Sequence, residues 1–321
     1  MKLSVVIVSW NVREDLLRCL RSIGQNPPQA EYEVIVVDNA GSDGTAEAVH
    51  RQFPAVRLIA NNENRGFAAA NNQALEIAAG RYVFFLNPDT IVKPGSFDVL
   101  LDFMENNPNV GACGPRLLFE DGRLQSTVRA FPTFAGALHR HTIFKTLGIF
   151  RPAYNKWLLK NFSYDKLAEV DQVMGAALMV RKSVLDDLGG MDERNFFMYY
   201  EEVDLCYRIK QAQWRIMFVP DAEFVHLAGR SSEQIPAEKT IMAMTSLLRF
   251  FKKHRCRLCC VPFAWIFKFA FVVNEMAALL IYGIVYSLTF LCPASKIRAH
   301  SVQKLSYSAK LLKLSWQRGL G

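Results

Sequence analysis

A doubly wound α/β domain with a mixed sheet, followed by a helical, apolar and basic tail, is the fold class this sequence predicts. Three observations predict it. Four short apolar runs alternate with segments of helical period within about 100 residues. Each run ends in a polar cluster, as strands do where a sheet presents its carboxyl edge to a ligand. The basic residues and the longest apolar stretch gather at the C-terminus. At 321 residues the chain can bury a substantial core, enough for a domain of about 230 residues and a smaller appendage.

Leu3 to Ser9 and Tyr32 to Val37 are continuous apolar runs, and between them Leu16, Leu17, Leu20 and Ile23 recur at helical spacing. This is a β-α-β unit with buried parallel strands. The alternation continues with Ala46 to Phe53 as helix, Val56 to Ala60 as strand, Gly66 to Ala79 as helix, Tyr82 to Leu86 as strand and Ser96 to Asn106 as helix. Val110 to Gly114 and Gln172 to Val180 read as further strands that make the sheet mixed. Arg116 to Asp165, rich in Phe, Arg and His with weak periodicity, reads as an excursion or lid over the site.

The net charge of +8 divides unevenly. From Arg249 onward there are 12 Lys and Arg against one acid, Glu275, which leaves 26 basic and 29 acidic residues before it. A slightly acidic body with a basic tail argues against nucleic acid as a partner and for an anionic membrane surface. The longest apolar stretch, Phe269 to Cys292, is interrupted only by Asn274 and Glu275, with Lys252, Lys253, His254, Arg255 and Arg257 before it and Lys296 and Arg298 after. Its length permits a bilayer crossing, whereas basic residues on both flanks favour a re-entrant hairpin or a helix lying in the interface. A buried helix of a soluble core is the third reading. Met1-Lys2 runs directly into the first strand without a small-residue cleavage site, so the α/β part is expected to stay in the cytoplasm. Seven scattered cysteines make no disulfide framework. Cys256, Cys259 and Cys260 beside His254 read either as a zinc site lacking its second ligand pair or as reduced thiols.

The strand ends carry the candidate chemistry: Ser9-Trp10-Asn11, then Asp38 to Gly44, Asn61 to Gly66, and Asn87-Pro88-Asp89. Asp38 reads either as a turn or capping residue or as a ligand contact. Asp89 comes after an apolar run and Pro88, an arrangement that aims a carboxylate into the crevice and suits Mg²⁺ or Mn²⁺; capping from Thr90 onward is the alternative. A second acidic cluster, Tyr200-Glu201-Glu202-Val203-Asp204, again sets carboxylates beside apolar residues, where burial is costly unless a metal, a proton or a cation accounts for the charge. On a helix starting near Tyr200, Glu201 and Asp204 share a face with Leu205 and Arg208. Asp204 and Arg208 then form an ion pair at i, i+4, and Glu202 is left free at the first turn.

Taken in order, Val6 to Asn11, Val36 to Asn39 with Ser42 to Thr45, Asn64-Arg65-Gly66-Phe67 with Asn71, Leu86 to Asp89, Gly189 to Glu193, Phe197 to Leu205 with Arg208, and Trp214 to Pro220 with His226 and Gly229-Arg230-Ser231 resemble the successive motifs of the inverting family 2 glycosyltransferases. The likeness spans residues 3 to 232 and is closest to the rhamnosyltransferase-like branch that builds bacterial surface polysaccharides. It implies a GT-A-type, Rossmann-like sheet over residues 1–232 and a membrane-associating region over 233–321. The division of labour between the two acidic sites is what such an enzyme needs. The resemblance implies that Asp38 hydrogen-bonds the pyrimidine, that Ser9, Trp10 and Asn11 line base and ribose, and that Asn64, Gly66, Phe67 and Asn71 shape the sugar-phosphate wall. Asn87-Pro88-Asp89 stands where the family has Asp-X-Asp, so Asp89 becomes the ligand of Mg²⁺ or Mn²⁺, Asn87 departs from the pattern, and His226 is either a further ligand or a core or surface histidine. Glu201-Glu202 stands where the family has Glu-Asp. The catalytic base implied is Glu202, with Glu201 beside it and Asp204 in reserve. The partners implied are a nucleotide diphosphate sugar, with dTDP-rhamnose as the donor, and a lipid-linked glycan acceptor at the cytoplasmic face of the bacterial plasma membrane.

A polyprenyl-phosphate sugar synthase using a UDP- or GDP-sugar would share the donor site, but the Gly175 to Ser231 block argues against it. A nucleotidyltransferase would need a glycine-rich, basic phosphate loop after strand one, and Ser9 to Arg13 is a poor substitute. A non-catalytic membrane-bound scaffold is opposed by the retention of Asp38, Asp89, Glu202 and His226 together.

Overall fold

The computed structural model describes residues 1–227, 234–289 and 296–317, the side chain of Arg257 excepted. They form two compact units: Met1–Phe131 with Leu158–Gln234, and Pro132–Trp157 with Ile235–Gly321. The motif Gly229-Arg230-Ser231 and the end of the apolar stretch, 290–292, lie outside the described residues.

In the first unit β1 (Leu3–Ser9), α1 (Arg13–Gln25), β2 (Tyr32–Asp38), α2 (Thr45–Gln52), β3 (Arg57–Ala60), α3 (Phe67–Ile77) and β4 (Tyr82–Leu86) alternate as the apolar runs predict. β5 (Thr90–Val92), α4 (Ser96–Asn106) and β6 (Val110–Leu118) come next. The chain then supplies α5 (Phe134–His141) and α6 (Arg151–Trp157) to the second unit. It returns to the first with β7 (Ala168–Glu169), β8 (Ala177–Arg181), α7 (Lys182–Leu188), α8 (Glu201–Gln211) and β9 (Arg215–His226). The sheet order is β3-β2-β1-β4-β8-β6-β9-β5, with β7 on the flank of β9. The first four strands are parallel. β8 enters antiparallel between β4 and β6, and β9 runs parallel to β6 and antiparallel to β5.

Both faces of the sheet are covered, so its strands are apolar at every position rather than at alternate ones. Leu3, Val5 and Ile7 pack with Leu16 and Leu20 of α1, while Val6 and Val8 pack with Ala70 and Ala74 of α3 and Leu205 and Ile209 of α8. This two-sided burial lets the unbroken runs be read as strands.

Three departures from the sequence expectation have local causes. The strand expected over Gln172 to Val180 begins only at Ala177, because the chain turns at Met174–Ala177, where the Ala177 N–H donates to the Met174 carbonyl at 3.4 Å. β5 and β7, three and two residues long, are too short to carry a periodic signal. The expected excursion divides, its middle, Pro132–Trp157, packing with the C-terminal helices α9 (Pro236–His254), α10 (Arg257–Leu288) and α11 (Lys296–Gln317). There Phe134 of α5 stacks on Phe263 at 4.3 Å and meets the edge of Phe251 at 4.6 Å.

Candidate active site

The carboxyl edge of the parallel strands collects the first group of candidate residues. Ser9 and Asp38 are register partners at the ends of β1 and β2. Asp38 is buried, and its Oδ1 accepts the Gly41 N–H at 3.1 Å, so one oxygen holds the turn and the capping duty for α2 falls to Asp43, which accepts the Thr45 N–H at 3.2 Å. Burial, then the charges of Asp43 and Glu47, lift the Asp38 carboxyl above its ordinary range. The buried Ser9 hydroxyl has no hydrogen-bond partner among the described residues. Trp10 is half-buried, and Asn11, in the left-handed region at φ 53°, accepts the Ser42 N–H at 2.7 Å.

Asn64, Gly66, Phe67 and Asn71 form one hydrogen-bonded loop and helix start. Its hub is Asn39, which in the sequence looks like one turn former among several. The Asn39 Nδ2 donates to Asn64 Oδ1 at 2.9 Å and to the Gly66 carbonyl at 3.2 Å, and its Oδ1 accepts from the Arg65 N–H at 3.0 Å and Asn61 Nδ2 at 3.1 Å. Asn71 is buried and donates back to the Phe67 carbonyl at 2.8 Å. Gly66 has φ +85°, and a Cβ there would stand 2.5 Å from the Phe197 carbonyl oxygen and 2.7 Å from its ring. The Phe67 N–H donates to that same carbonyl at 2.7 Å.

Asp89 and His226 meet across β5 and β9, where Thr90 and His226 are register partners. Asp89 leads directly into strand β5, so it has no helix to cap. His226 Nε2 lies 3.4 Å from Asp89 Oδ1 and 3.5 Å from Asn87 Nδ2; His226 and Asp89 are buried and Asn87 half-buried. The tautomer is set by the neighbour on the other side of the ring. Gln125 Nε2 donates to the His226 carbonyl and, at 3.4 Å, to that of Leu118, which turns its Oε1 toward His226 Nδ1 at 2.9 Å. With Gln125 Oε1 as acceptor Nδ1 carries a proton, and Nε2 is turned to the same side as the Asp89 carboxylate. An imidazole nitrogen and a carboxylate turned toward one another are ligand types that fit a divalent cation, and Gln125 supplies the outer support such a histidine ligand requires. Asp89 itself is held through its carbonyl, which accepts the Leu227 N–H at 2.9 Å, and Pro88 is buried beside it.

The second acidic cluster opens α8. Tyr199 and Tyr200 both lie at φ 68°, and the helix starts at Glu201. Glu201 is buried, its Oε2 has no partner among the described residues, and burial, then the neighbouring Glu202 charge, raise its carboxyl well above the ordinary range. Burial also raises Glu202, opposed by the backbone N–H groups of the first turn and by the Arg129 charge. Asp204 is fully buried and accepts Arg208 Nε at 2.7 Å; the same guanidinium donates to the carbonyls of Leu188 and Gly190 at 2.9 and 2.8 Å. Here the i, i+4 spacing gives the supporting ion pair it predicts.

The two clusters are joined through Gly175 and Ala176. A Cβ on Gly175 would stand 3.2 Å from Glu202 Cβ, and the next residue's carbonyl accepts the Asn87 N–H at 2.9 Å. Gly175 thus forms the floor beneath Glu202 and ties it to the Asn87–Asp89 turn. Gln125 and Arg129 carry no signal in the sequence, lying in a segment without periodicity; Asn39 and Gly175 fall within stretches that carry the family resemblance, but the resemblance implies no role for either.

Parallel strands that end in a crevice of carboxylates and amides, an antiparallel β8 beside them and an acid-led helix define a glycosyltransferase of the GT-A fold. Residues 4–185 match the profile of Glycosyl transferase family 2, and the chain belongs to that family. It is 34% identical over 251 residues to the N-acetylglucosaminyl-diphospho-decaprenol L-rhamnosyltransferase of Mycobacterium tuberculosis, covering 73% of this chain and 79% of that one. It is 25% identical over 264 residues to the rhamnosyltransferase WbbL of Escherichia coli, covering 78% and 93%. In fold it is similar to a mannosyltransferase from Pyrobaculum calidifontis solved with GDP-mannose and Mn²⁺, with a TM-score of 0.59, 17% identity, and coverage of 99% of this chain and 88% of that one.

Proposed function

We propose that this chain is an inverting, metal-dependent hexosyltransferase that moves rhamnose from dTDP-rhamnose to a hydroxyl of a lipid-linked glycan in surface polysaccharide synthesis. The observation that carries this reading is the His226 Nε2 turned toward the Asp89 carboxylate at 3.4 Å, beside Asn87, whose N–H meets the carbonyl of Ala176, next to Gly175 under Glu202. The identity to the mycobacterial decaprenol-linked rhamnosyltransferase supports the choice of sugar and carrier. The transferase domain proposed is 1–232 and the membrane-associating region 233–321, at the cytoplasmic face of the plasma membrane.

Asp89 and His226 would hold Mn²⁺ or Mg²⁺, the mixed carboxylate and imidazole set favouring Mn²⁺; when bound, the ion supplies positive charge to the diphosphate leaving group. The chain's own residues do the rest. Asp38 accepts a hydrogen bond from the pyrimidine through the oxygen that Gly41 does not use. Ser9 offers its unpartnered hydroxyl and, with Trp10 and Asn11, lines base and ribose. Asn64, Gly66, Phe67 and Asn71, tied through Asn39, wall the sugar-phosphate. Asn87 and Pro88 set the turn that aims Asp89. Glu202, whose raised carboxyl makes it a better proton acceptor than an ordinary glutamate, takes the acceptor hydroxyl proton as that oxygen attacks the sugar C1 from the face opposite the nucleotide. One displacement through an oxocarbenium-like transition state inverts the anomeric centre. Glu201, more deeply buried, has its carboxyl lifted well above the ordinary range by burial and then by the Glu202 charge, which disfavours a second negative charge beside the base.

Donor hydrolysis and thermal stabilisation with a panel of dTDP- and UDP-sugars, with and without Mn²⁺ or Mg²⁺, test this reading in the wild type and in Asp89→Ala. Stabilisation by dTDP-rhamnose that needs both the metal and Asp89 is expected. Stabilisation by another sugar would reassign the donor, and none by any donor would overturn the reading.

A further inference from the structure

The second unit exposes a surface that its own packing leaves uncovered. Along α10 the residues Leu258, Trp265, Phe269, Met276 and Leu280 recur at alternating steps of seven and four residues and form one exposed stripe, with Trp265 72% and Phe269 73% exposed. Two charged residues lie between Leu258 and Leu288: Glu275, and Lys268, which is half-buried with its Nζ 5.9 Å from the Trp265 ring. The opposite side packs inward through Phe263, Phe267, Phe271 and Glu275. Glu275 is 7% exposed and accepts Asn274 Nδ2 at 2.8 Å, so the stripe's side of the helix carries no carboxylate.

We propose that this stripe inserts lengthwise into the headgroup–acyl boundary of an anionic bilayer, so that α10 lies in the membrane surface and does not cross it. The proposal rests on the membrane association assigned to residues 233–321 and adds its mode. Three observations argue for lying over crossing. The 32 residues of α10 extend about 48 Å, well beyond a hydrocarbon core of about 30 Å. α11 doubles back along the C-terminal half of α10: Arg298 sits 4.9 Å over the Tyr286 ring and donates to its hydroxyl at 3.1 Å, and His300 lies against Tyr282. A crossing would carry Lys296, Arg298 and Lys304 toward the hydrocarbon with it. Lys252, Lys253 and Arg255 are exposed just before α10 and Lys296 at the start of α11, which gives both ends of the helix the charge that anionic headgroups complement.

Full-length protein is sedimented with vesicles of phosphatidylcholine with and without phosphatidylglycerol. Binding that requires phosphatidylglycerol and falls about 10- to 100-fold in Phe269→Glu or Trp265→Glu, with donor hydrolysis unchanged, is expected. Topology is read in a background where Cys256, Cys259 and Cys292 are serine, with a reporter thiol restored at Cys259 or introduced as Ala299→Cys, exposed at the start of α11 and off the stripe. An impermeant maleimide added outside should label both reporters. Labelling of only one end before permeabilisation would overturn the lying mode and leave membrane association standing. Absence of vesicle binding, together with a dimer in light scattering that Phe269→Glu dissociates, would make the stripe a self-association surface and overturn both.

Discussion

Replacing Asp204 and replacing Glu202 should separate stability from chemistry. Asp204→Asn removes the charge that faces Arg208 in a fully buried position and leaves the guanidinium with only the Leu188 and Gly190 carbonyls among those contacts. Breaking a buried pair in this way costs about 3–5 kcal/mol, because the remaining charge stays desolvated. In a domain of this size each kcal/mol moves the midpoint by about 2–4 °C, so Tm should fall by about 6–20 °C. Glu202→Gln removes a carboxyl that burial already disfavours, so Tm should hold or rise, whereas the transfer rate should fall about 10²- to 10⁴-fold with loss of the base. Thermal unfolding monitored by circular dichroism gives the first quantity, and sugar transfer measured well below both midpoints gives the second. An Asp204→Asn protein with wild-type Tm and no transfer would refute the assignment and make Asp204 the base.

Gly66→Ala forces a Cβ into the Phe197 carbonyl and ring from a backbone only glycine adopts freely, and should cost about 2–4 kcal/mol and weaken nucleotide-sugar binding together, as read by chemical denaturation and calorimetry; unchanged stability would refute the close approach. Gln125→Leu should leave the His226 ring free to turn and weaken Mn²⁺ binding about 10- to 100-fold by metal titration, and unchanged affinity would remove Gln125 from the site. Glu201 gives a pH prediction. Its carboxyl is raised by burial in the fold, so as pH climbs above the ordinary glutamate range the unfolded chain releases the proton first and stability falls until the folded group ionises. Glu201→Gln should therefore raise Tm relative to wild type at pH 8 and by little near pH 4; a pH-independent difference would refute the raised carboxyl.

The parallel half of the fold was legible because both faces of its strands are buried, which turns them into unbroken apolar runs, and because turn formers such as Asp38 to Gly44 punctuate them. The other half was less so. β5 and β7 owe their existence to pairing with β9, a strand far along the chain, and Pro132–Trp157 is defined by packing on α9 and α10. The same division runs through the candidate site. Asp89 and Glu202 stand out because a carboxylate next to apolar residues needs an explanation that sequence alone can demand. Gln125 does not, since its meaning depends on His226, 101 residues away, and a lone glutamine in an aperiodic segment looks like any surface residue.

Backbone strain at the strand ends is held in place by contacts between the motifs. Asn11, Ala40, Tyr199 and Tyr200 all have left-handed φ, at about 1–2 kcal/mol each, a sum comparable with much of a domain's net stability. Such conformations persist only where neighbours over-determine them. Asn11 is fixed by Ser42, and Tyr200 by the Asp204 N–H that its carbonyl accepts at 2.8 Å. Two residues before Tyr199, the Phe197 carbonyl takes the Phe67 N–H at 2.7 Å and fills the space a Gly66 side chain would need. The loop after β3 and the turn that opens α8 therefore share one tight contact, and a displacement of either moves the other. Residues more than a hundred positions apart in the chain are in this way held as a single mechanical element, with glycine required at the point of contact.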